Sequence, residues 1–220
     1  MAGIDRGRIE AAVLEILAAI GEDPGRDGLE KTPSRVADAY SEFFAGVGED
    51  AGAHLQRTIP VGDGTSGDGD AGDGAAGSQG ERTSEAVLMR DITFRSVCEH
   101  HLLPFIGTAH IAYLPAEKVI GLGALPRVVE TLAARPQVQE RLTEQIADAI
   151  NDGLEPRGVL VVLDAVHGCV TTRGPRQTSS STVTVASRGA LREPIARAEI
   201  FAMLGATTDP RPAEHPEPGR

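Results

Sequence analysis

The chain has 220 residues, a formal net charge of -11 and a sequence pI near 5.0. Nucleic acids and anionic membranes attract a broad basic face, so this charge balance argues against both as partners. The length is enough to bury a substantial core, and we expect one domain with appendages. Glu15 interrupts the N-terminal apolar run, which fits neither a signal peptide nor a membrane span, so we expect a cytoplasmic protein.

Two helices are predicted at the start of the chain. Apolar residues recur at helical spacing up to Ile20 and stop at Gly21, which predicts an amphipathic helix. A second helix follows, with Thr32 as its N-cap and Pro33 at its first position. We therefore expect an N-terminal helical region over residues 1–60.

Residues 61–84 differ in composition from both flanks. Gly and Asp dominate this segment, and it offers no large apolar side chain beyond Val61. Such a segment cannot bury enough surface to offset the entropy lost on ordering, so we expect a flexible insertion. The alternation of Gly and Asp resembles a calcium-binding repeat, but the apolar position that such a repeat needs for its strand is missing.

Beyond the insertion the pattern changes to strands and helices. Four runs are rich in β-branched and aromatic residues, two helical patterns lie between the second and third runs, and a closing helix follows the fourth. This order predicts an α+β domain over residues 85–205, with an antiparallel sheet that carries helices on one side. The Pro-rich polar tail, residues 206–220, is predicted to be disordered. The predicted strands are "AVLMRDITFRSV", "GTAHIAYLP", "GVLVVLDAVHGCV" and "STVTVASRG".

The two cysteines of the chain each have a histidine nearby. Cys98 and His101 form a C-x-x-H pair, whose spacing lets a tight turn present a sulfur and a nitrogen to one ion. His167 and Cys169 lie at i and i+2 near the end of a predicted strand, so we expect both to face the same side. In a cytoplasmic protein two cysteines are more often metal ligands or reactive thiols than a disulfide.

A zinc site is one interpretation of these residues. If Cys98, His101 and Cys169 bind one ion, the fourth tetrahedral position stays open to water, and His100 and His167 are free to carry protons. On spacing alone an alternative has equal standing, namely a buried thiol pair with histidines that hydrogen-bond in the core. The chain contains neither a G-x-x-x-x-G-K-[ST] loop nor a G-x-S-x-G elbow, which excludes a P-loop nucleotide switch and leaves a serine hydrolase unsupported.

Several longer motifs, in order along the chain, resemble the GTP cyclohydrolase I family. The resemblance covers about Ile20 to Gly46 and Arg90 to Leu204. It implies a tunnelling (T-fold) barrel, a toroidal homodecamer with active sites between subunits, and a zinc ion on Cys98, His101 and Cys169. The motifs are "GEDPGRDGLEKTPSRVADAYSEFFAG", "SVCEHHLLPFIGTAHIAYLP", "VIGLGALPRVVE", "RPQVQERLTEQIADAI", "DAVHGCVTTRGPR" and "STVTVASRG".

The resemblance also implies a reaction and the residues that serve it. The family opens the imidazole ring of GTP at C8, releases formate and forms 7,8-dihydroneopterin triphosphate, the first step toward tetrahydrofolate and pterins. His100 and His167 are similar to the family's proton-transfer histidines. A carboxylate can accept hydrogen bonds from both N1–H and the exocyclic amine of guanine. The implied substrate-binding residues are Gln139 and Glu140 for guanine, and Arg127, Arg173 and Arg176 for the triphosphate.

Three positions depart from the family pattern. Where the family reads G-L-S-K, this chain has Gly123 and Ala124, so a serine near the ribose and a lysine that reaches the triphosphate are replaced. A further family lysine is replaced by Gln177. The zinc ligands, both histidines and Glu140 are intact, so we expect catalysis with a weaker hold on the phosphates. The alternatives are a paralogue that acts on a different guanine nucleotide and a non-catalytic regulatory homologue.

Overall fold

The computed structural model describes residues 3–61 and 85–205. The predicted flexible insertion, apart from Val61, and the predicted disordered tail lie outside the described residues. The helices are α1 (Arg6–Ala19), α2 (Thr32–Phe43), α3 (Ala124–Ala133), α4 (Gln139–Leu154), α5 (Gly168–Thr171) and α6 (Pro194–Gly205), with 3-10 helices at Ala51–Leu55 and Ala190–Arg192. The strands are β1 (Thr58–Pro60), β2 (Val87–Cys98), β3 (Pro104–Leu114), β4 (Lys118–Ile120), β5 (Pro136–Gln137), β6 (Gly158–His167) and β7 (Thr182–Gly189).

A five-stranded sheet in the order β5-β2-β3-β6-β7 forms the centre of the fold. The strands β2, β3, β6 and β7 pair antiparallel, and the two-residue β5 joins the edge of β2 in parallel. The short strands β1 and β4 form a separate antiparallel pair. The predicted α+β class is confirmed, and the main sheet is antiparallel apart from the short β5.

Helices cover both faces of this sheet, whereas the sequence predicted them on one side. On the first face, α3 and α4 pack against a core that includes Phe105 and Leu163. On the opposite face, Ile200 of α6 packs with Leu160 in a second, smaller core. The closing helix reaches that face because the chain leaves β7 at Gly189, where a φ of 55° turns it into the second 3-10 helix.

The helices α1 and α2 begin the chain as predicted, with two differences. Lys31 occupies the N-cap position of α2 and Thr32 is already helical, so the predicted cap is wrong by one residue. On α1, Val13 is buried, whereas Ile16 is 58% exposed, and Ile20, directly after the helix, is 68% exposed. Within the described ranges, the helices are too short or too polar to span a bilayer.

The N-terminal region joins the sheet domain through specific contacts. Arg135 Nε donates to the Gly46 carbonyl oxygen at 2.7 Å, and His54 Nε2 lies 2.9 Å from Thr131 Oγ1. Leu55, in the first 3-10 helix, is 1% exposed and belongs to the main core. These contacts leave a cavity of about 590 Å³ between α2, the first 3-10 helix, β2 and α3, which we call the α2–α3 groove.

Candidate metal centre and active site

Cys98, His101 and Cys169 come together at one end of the central sheet. One donor atom from each side chain lies within 4.8 Å of the other two, and Cys98 Sγ is 3.6 Å from His101 Nδ1. Cys98 is buried, Cys169 is half-buried and His101 is exposed. Two sulfurs and an imidazole nitrogen are donors that zinc prefers, and three protein ligands leave one tetrahedral position free. We call these three residues the metal group.

A tight turn after β2 presents two members of the metal group. The Cys98 carbonyl oxygen accepts from the amides of His101 and Leu102, at 3.3 and 2.8 Å. Leu102 has a φ of 51°, a left-handed conformation that a leucine adopts rarely and that costs about 1 kcal/mol or more. The Cys98 amide donates to the Leu103 carbonyl at 2.8 Å and closes the turn. These bonds fix the sulfur and the nitrogen at a short separation.

Cys169 reaches the metal group from a helical turn, not from the strand that the sequence predicted. The strand β6 ends at His167, and the next four residues form α5. A Cβ at Gly168 would lie 2.7 Å from the Pro104 carbonyl oxygen, so glycine permits this close approach to β3. Thr171 Oγ1 donates to the His167 carbonyl at 3.1 Å as the backbone turns away. Strand alternation therefore does not relate His167 to Cys169.

The protonation of Cys169 depends on its surroundings. Burial raises the pKa of the Cys169 thiol, and the charge and hydrogen bonding of Cys98 raise it further. The positive charge of Arg173 acts in the opposite direction and lowers the pKa of Cys169. A bound cation would relieve the repulsion between two thiolates, so this donor set fits a divalent metal ion.

His167 is held firmly at the end of β6. Its ring stacks on Phe105, with centroids 4.7 Å apart and planes 7° from parallel, and Nε2 lies 2.7 Å from Gln139 Oε1. Burial lowers the pKa of His167, and the nearby Glu140 carboxylate partly offsets this effect. One of the two predicted proton carriers therefore has a fixed ring orientation.

An ion pair next to the metal group was missed by the sequence analysis. Glu99 pairs with Arg141 of α4, with Nη1 at 3.5 Å and a closer contact through Nη2. The Arg141 hydrogen bond holds the pKa of the Glu99 carboxyl below its usual value. Glu99 Oε1 also lies 3.7 Å from Nε2 of His100, whose side chain is 65% exposed. Neither member of the ion pair has a spacing that distinguishes it from a solvated surface charge, so the sequence carries no signal for it.

The two residues predicted to bind guanine are the first two residues of α4, but their side chains have different surroundings. Glu140 is exposed in the first turn of the helix, where the helix dipole favours a carboxylate. Gln139, beside it, is 1% exposed. Its side-chain amide donates to the carbonyl oxygens of Leu163 and Thr182 at 3.2 and 2.8 Å. The Glu140 side chain is thus available to a ligand, whereas the Gln139 side chain lies in the protein interior.

The three arginines predicted to bind the triphosphate fall in two places. Arg173 and Arg176 are exposed after α5, where the Arg176 amide donates to the Arg173 carbonyl at 3.3 Å. Arg127, on α3, lines the α2–α3 groove. One chain therefore presents these cations at two different parts of its surface.

Comparison with known proteins places this arrangement in a family. Residues 9–205 match the family model described as GTP cyclohydrolase I. The chain belongs to the GTP cyclohydrolase I family. The resemblance carried by the motifs is thereby confirmed, and the matched range is wider than the two segments in which the motifs were found.

Relatives named GTP cyclohydrolase 1 match nearly the whole chain. The one from Leifsonia xyli subsp. xyli is 62% identical over 205 residues, covering 93% of this chain and 98% of that protein. Those from Rhodopirellula baltica and Bacillus subtilis are 50% and 46% identical, covering 91% of this chain each and 80% and 96% of those proteins. A solved structure described as archaeosine synthase QueF-Like in the apo form has a TM-score of 0.38 at 15% identity, covering 48% of this chain and 94% of that chain, which is too distant to assign the fold.

Two of the three departures from the GTP cyclohydrolase I pattern fall at the start of α3. Gly123 precedes the helix, and apart from its two chain neighbours no described residue has an atom within 4 Å of a Cβ placed there, so a serine would fit. Ala124, the first residue of α3, is half-buried against the main core. Ala124 and Arg127 are three residues apart and therefore neighbours on one helix face. Without the family lysine, Arg127 remains as a cation beside this position.

Proposed function

We propose that this protein is a cytoplasmic, zinc-dependent GTP cyclohydrolase. It opens the guanine imidazole ring of GTP at C8, releases formate and forms 7,8-dihydroneopterin triphosphate, with net consumption of one water. The observation that carries the proposal is the metal group, whose donor atoms lie within 4.8 Å of one another in a chain of the GTP cyclohydrolase I family. The reaction would be the first step of tetrahydrofolate and pterin biosynthesis.

Cys98, His101 and Cys169 would hold the zinc ion. Their two sulfurs and one nitrogen match the donors of catalytic zinc sites that use three protein ligands. When bound, zinc supplies Lewis acidity and makes a water molecule nucleophilic near neutral pH. Because thiols lose protons when they bind a metal, we expect zinc binding to release protons and to weaken in acid.

The other residues of the site bind the substrate and move protons. The exposed carboxylate of Glu140 can accept from N1–H and the exocyclic amine of guanine together, a pattern that adenine does not offer. His167 and His100 exchange protons with the purine ring as the bonds at C8 break. The His167 ring is stacked and hydrogen-bonded, so its orientation toward the substrate is fixed. The exposed His100 side chain can change its orientation to suit the substrate.

We propose that a second copy of the chain completes the site. A triphosphate held by Arg127 together with Arg173 and Arg176 requires the α2–α3 groove of one chain to approach the metal group of another. Exposed apolar side chains on the face of the sheet that also carries α6 support such association. We expect a homo-oligomer, a decamer of tunnelling (T-fold) subunits. The exposed residues are Ile106, Val166, Val183 and Val185.

The experiment that tests the proposal uses purified, zinc-loaded protein with GTP, GDP and GMP in parallel. Formate release and pterin fluorescence after oxidation are measured, with Cys169→Ala as the inactive control. We expect GTP to be converted fastest, since its triphosphate offers the most charge to the arginines. Preference for GDP or GMP would support a paralogue with a different guanine nucleotide, and no formate from any of them would support a non-catalytic homologue. The names of the relatives give no support to either alternative.

A further inference from the structure

The side-chain amide of Gln139 can adopt only one orientation. Its Nε2 lies 3.2 Å from the Leu163 carbonyl oxygen, 2.8 Å from that of Thr182 and 3.1 Å from Thr184 Oγ1. Carbonyl oxygens only accept hydrogen bonds, so the NH₂ group must face them. Rotation of the amide by half a turn would press its oxygen against two carbonyl oxygens in a buried site. The amide oxygen of Gln139 therefore points toward His167.

Two threonine hydroxyls reinforce this orientation. Thr143 Oγ1 donates its hydrogen to the Gln139 carbonyl oxygen at 2.7 Å. The Thr143 and Thr184 hydroxyl oxygens are 2.6 Å apart, and since the Thr143 hydrogen is already in use, Thr184 must be the donor. Thr184 Oγ1 is then left to accept from Gln139 Nε2, whose two hydrogens are shared among this oxygen and the two carbonyl oxygens. These hydrogen bonds run in one direction, from the Gln139 side chain through Thr184 and Thr143 to the Gln139 carbonyl oxygen.

This chain of hydrogen bonds determines which nitrogen of His167 carries a proton. His167 Nε2 is 2.7 Å from Gln139 Oε1, and an amide oxygen accepts only, so Nε2 must be protonated. In the neutral ring the other nitrogen, Nδ1, is then unprotonated. Phe105 stacks on the ring and fixes its plane. Residues outside the metal group thus define the tautomer and the orientation of His167.

We propose that Gln139 is a positioning residue that holds His167 as its Nε2–H tautomer, so that the ring exchanges protons with the substrate through Nδ1. The inference rests on the proposed function, in which His167 moves protons. It assigns the Gln139 side chain to His167 and leaves side-chain recognition of guanine to Glu140.

The tautomer can be measured without turnover. ¹⁵N NMR is recorded on zinc-loaded protein labelled at the histidine ring nitrogens, and the His167 signals are identified by their loss in His167→Gln. We expect the neutral ring to show a protonated Nε2 and an unprotonated Nδ1. The reverse pattern would overturn the proposal. Because the measurement needs no GTP, its failure is distinguishable from failure of the proposed function.

A matched pair of variants tests the role of Gln139 in turnover. Gln139→Leu removes the acceptor for His167, and Gln137→Leu is the control, because Gln137 is 2% exposed and donates to the Leu132 carbonyl at 2.9 Å. In Gln139→Leu we expect a mixture of His167 tautomers and a kcat that falls by about 10- to 100-fold. The KM for GTP should stay within about twofold, since the lost hydrogen bond is to His167 and not to the bound GTP. An unchanged tautomer in Gln139→Leu would overturn the proposal.

Stability measurements separate positioning from loss of fold. Both variants remove a side-chain donor from backbone carbonyl oxygens, so Tm should fall in each. A loss of kcat confined to position 139 supports the proposal, whereas a loss of kcat that follows Tm equally in both variants overturns it. If Gln139→Leu does not fold, Gln139→Met provides the same test with a more flexible side chain, and the same tautomer mixture and loss of kcat are expected.

Discussion

Replacement of Phe105 by leucine tests whether the orientation of His167 matters for turnover. Phe105 is 1% exposed and contacts two rings, His167 stacked at 4.7 Å and Phe94 edge-on at 6.1 Å between centroids. Leucine keeps the position apolar but removes both ring contacts. Phe94→Leu is the matched control, because Phe94 is 5% exposed in the same core and shares the edge contact with Phe105.

The two variants should differ more in catalysis than in stability. An aromatic pair contributes about 0.5–1.5 kcal/mol beyond its buried area, so losing two contacts should lower the free energy of unfolding of Phe105→Leu by about 1–3 kcal/mol. Phe94→Leu loses one such contact and should lose about half as much. If the stacking energy serves to orient His167 in the transition state, kcat of Phe105→Leu falls by about two- to tenfold.

Denaturant unfolding gives the two free energies, and the rate of pterin formation from GTP gives kcat at a temperature where both variants are folded. We expect Phe94→Leu to keep the kcat of the unmodified protein. Equal losses of kcat in both variants would show that general destabilisation is responsible. An undiminished kcat in Phe105→Leu would refute the reasoning that the stack orients His167.

Three further substitutions test the ligands, the proton carrier and the phosphate contacts. Cys169→Ala should lose both zinc and activity, because it removes one of the two sulfurs, and full zinc content measured by atomic absorption would contradict the ligand assignment. His167→Ala should keep about one zinc per subunit while kcat falls by about 100-fold or more; release of zinc would instead make His167 a ligand. Ala124→Lys adds a cation beside Arg127 and should lower the KM for GTP by about tenfold, with a smaller gain for GMP. An equal gain for both nucleotides that added salt abolishes would indicate general electrostatic attraction.

The metal group could be predicted from the sequence because short-range spacing defines much of it. Cys98 and His101 need only a tight turn, and the chain forms one. The prediction that Cys169 lies on the same strand as His167 was wrong, because the end of β6 depends on a contact with another strand. Gly168 fits against the Pro104 carbonyl, and no pattern within the β6 segment reports that neighbour.

The surroundings of α4 and α1 show a second limit of sequence patterns. Gln139 and Glu140 are adjacent at the start of α4, and their opposite exposure depends on hydrogen-bond partners such as Thr184, which come from β6 and β7. On α1, the apolar stripe indicates a helix but not what covers it, and Ile16 and Ile20 are exposed in the single chain. Periodicity therefore predicts elements well and their partners poorly.

The order in which the proposed metal ligands appear along the chain has a consequence for biogenesis. Cys98 and Cys169 are separated by roughly 70 residues, so the chain must close a long loop before they meet. That loop contains α3 and α4, and it closes when β6 pairs with β3. During synthesis the turn with Cys98 and His101 emerges first and offers two donors, which hold zinc less tightly than three. Metal binding is therefore expected late, when the sheet is complete. Scarcity of zinc would leave newly made chains without the metal that links the turn after β2 to α5.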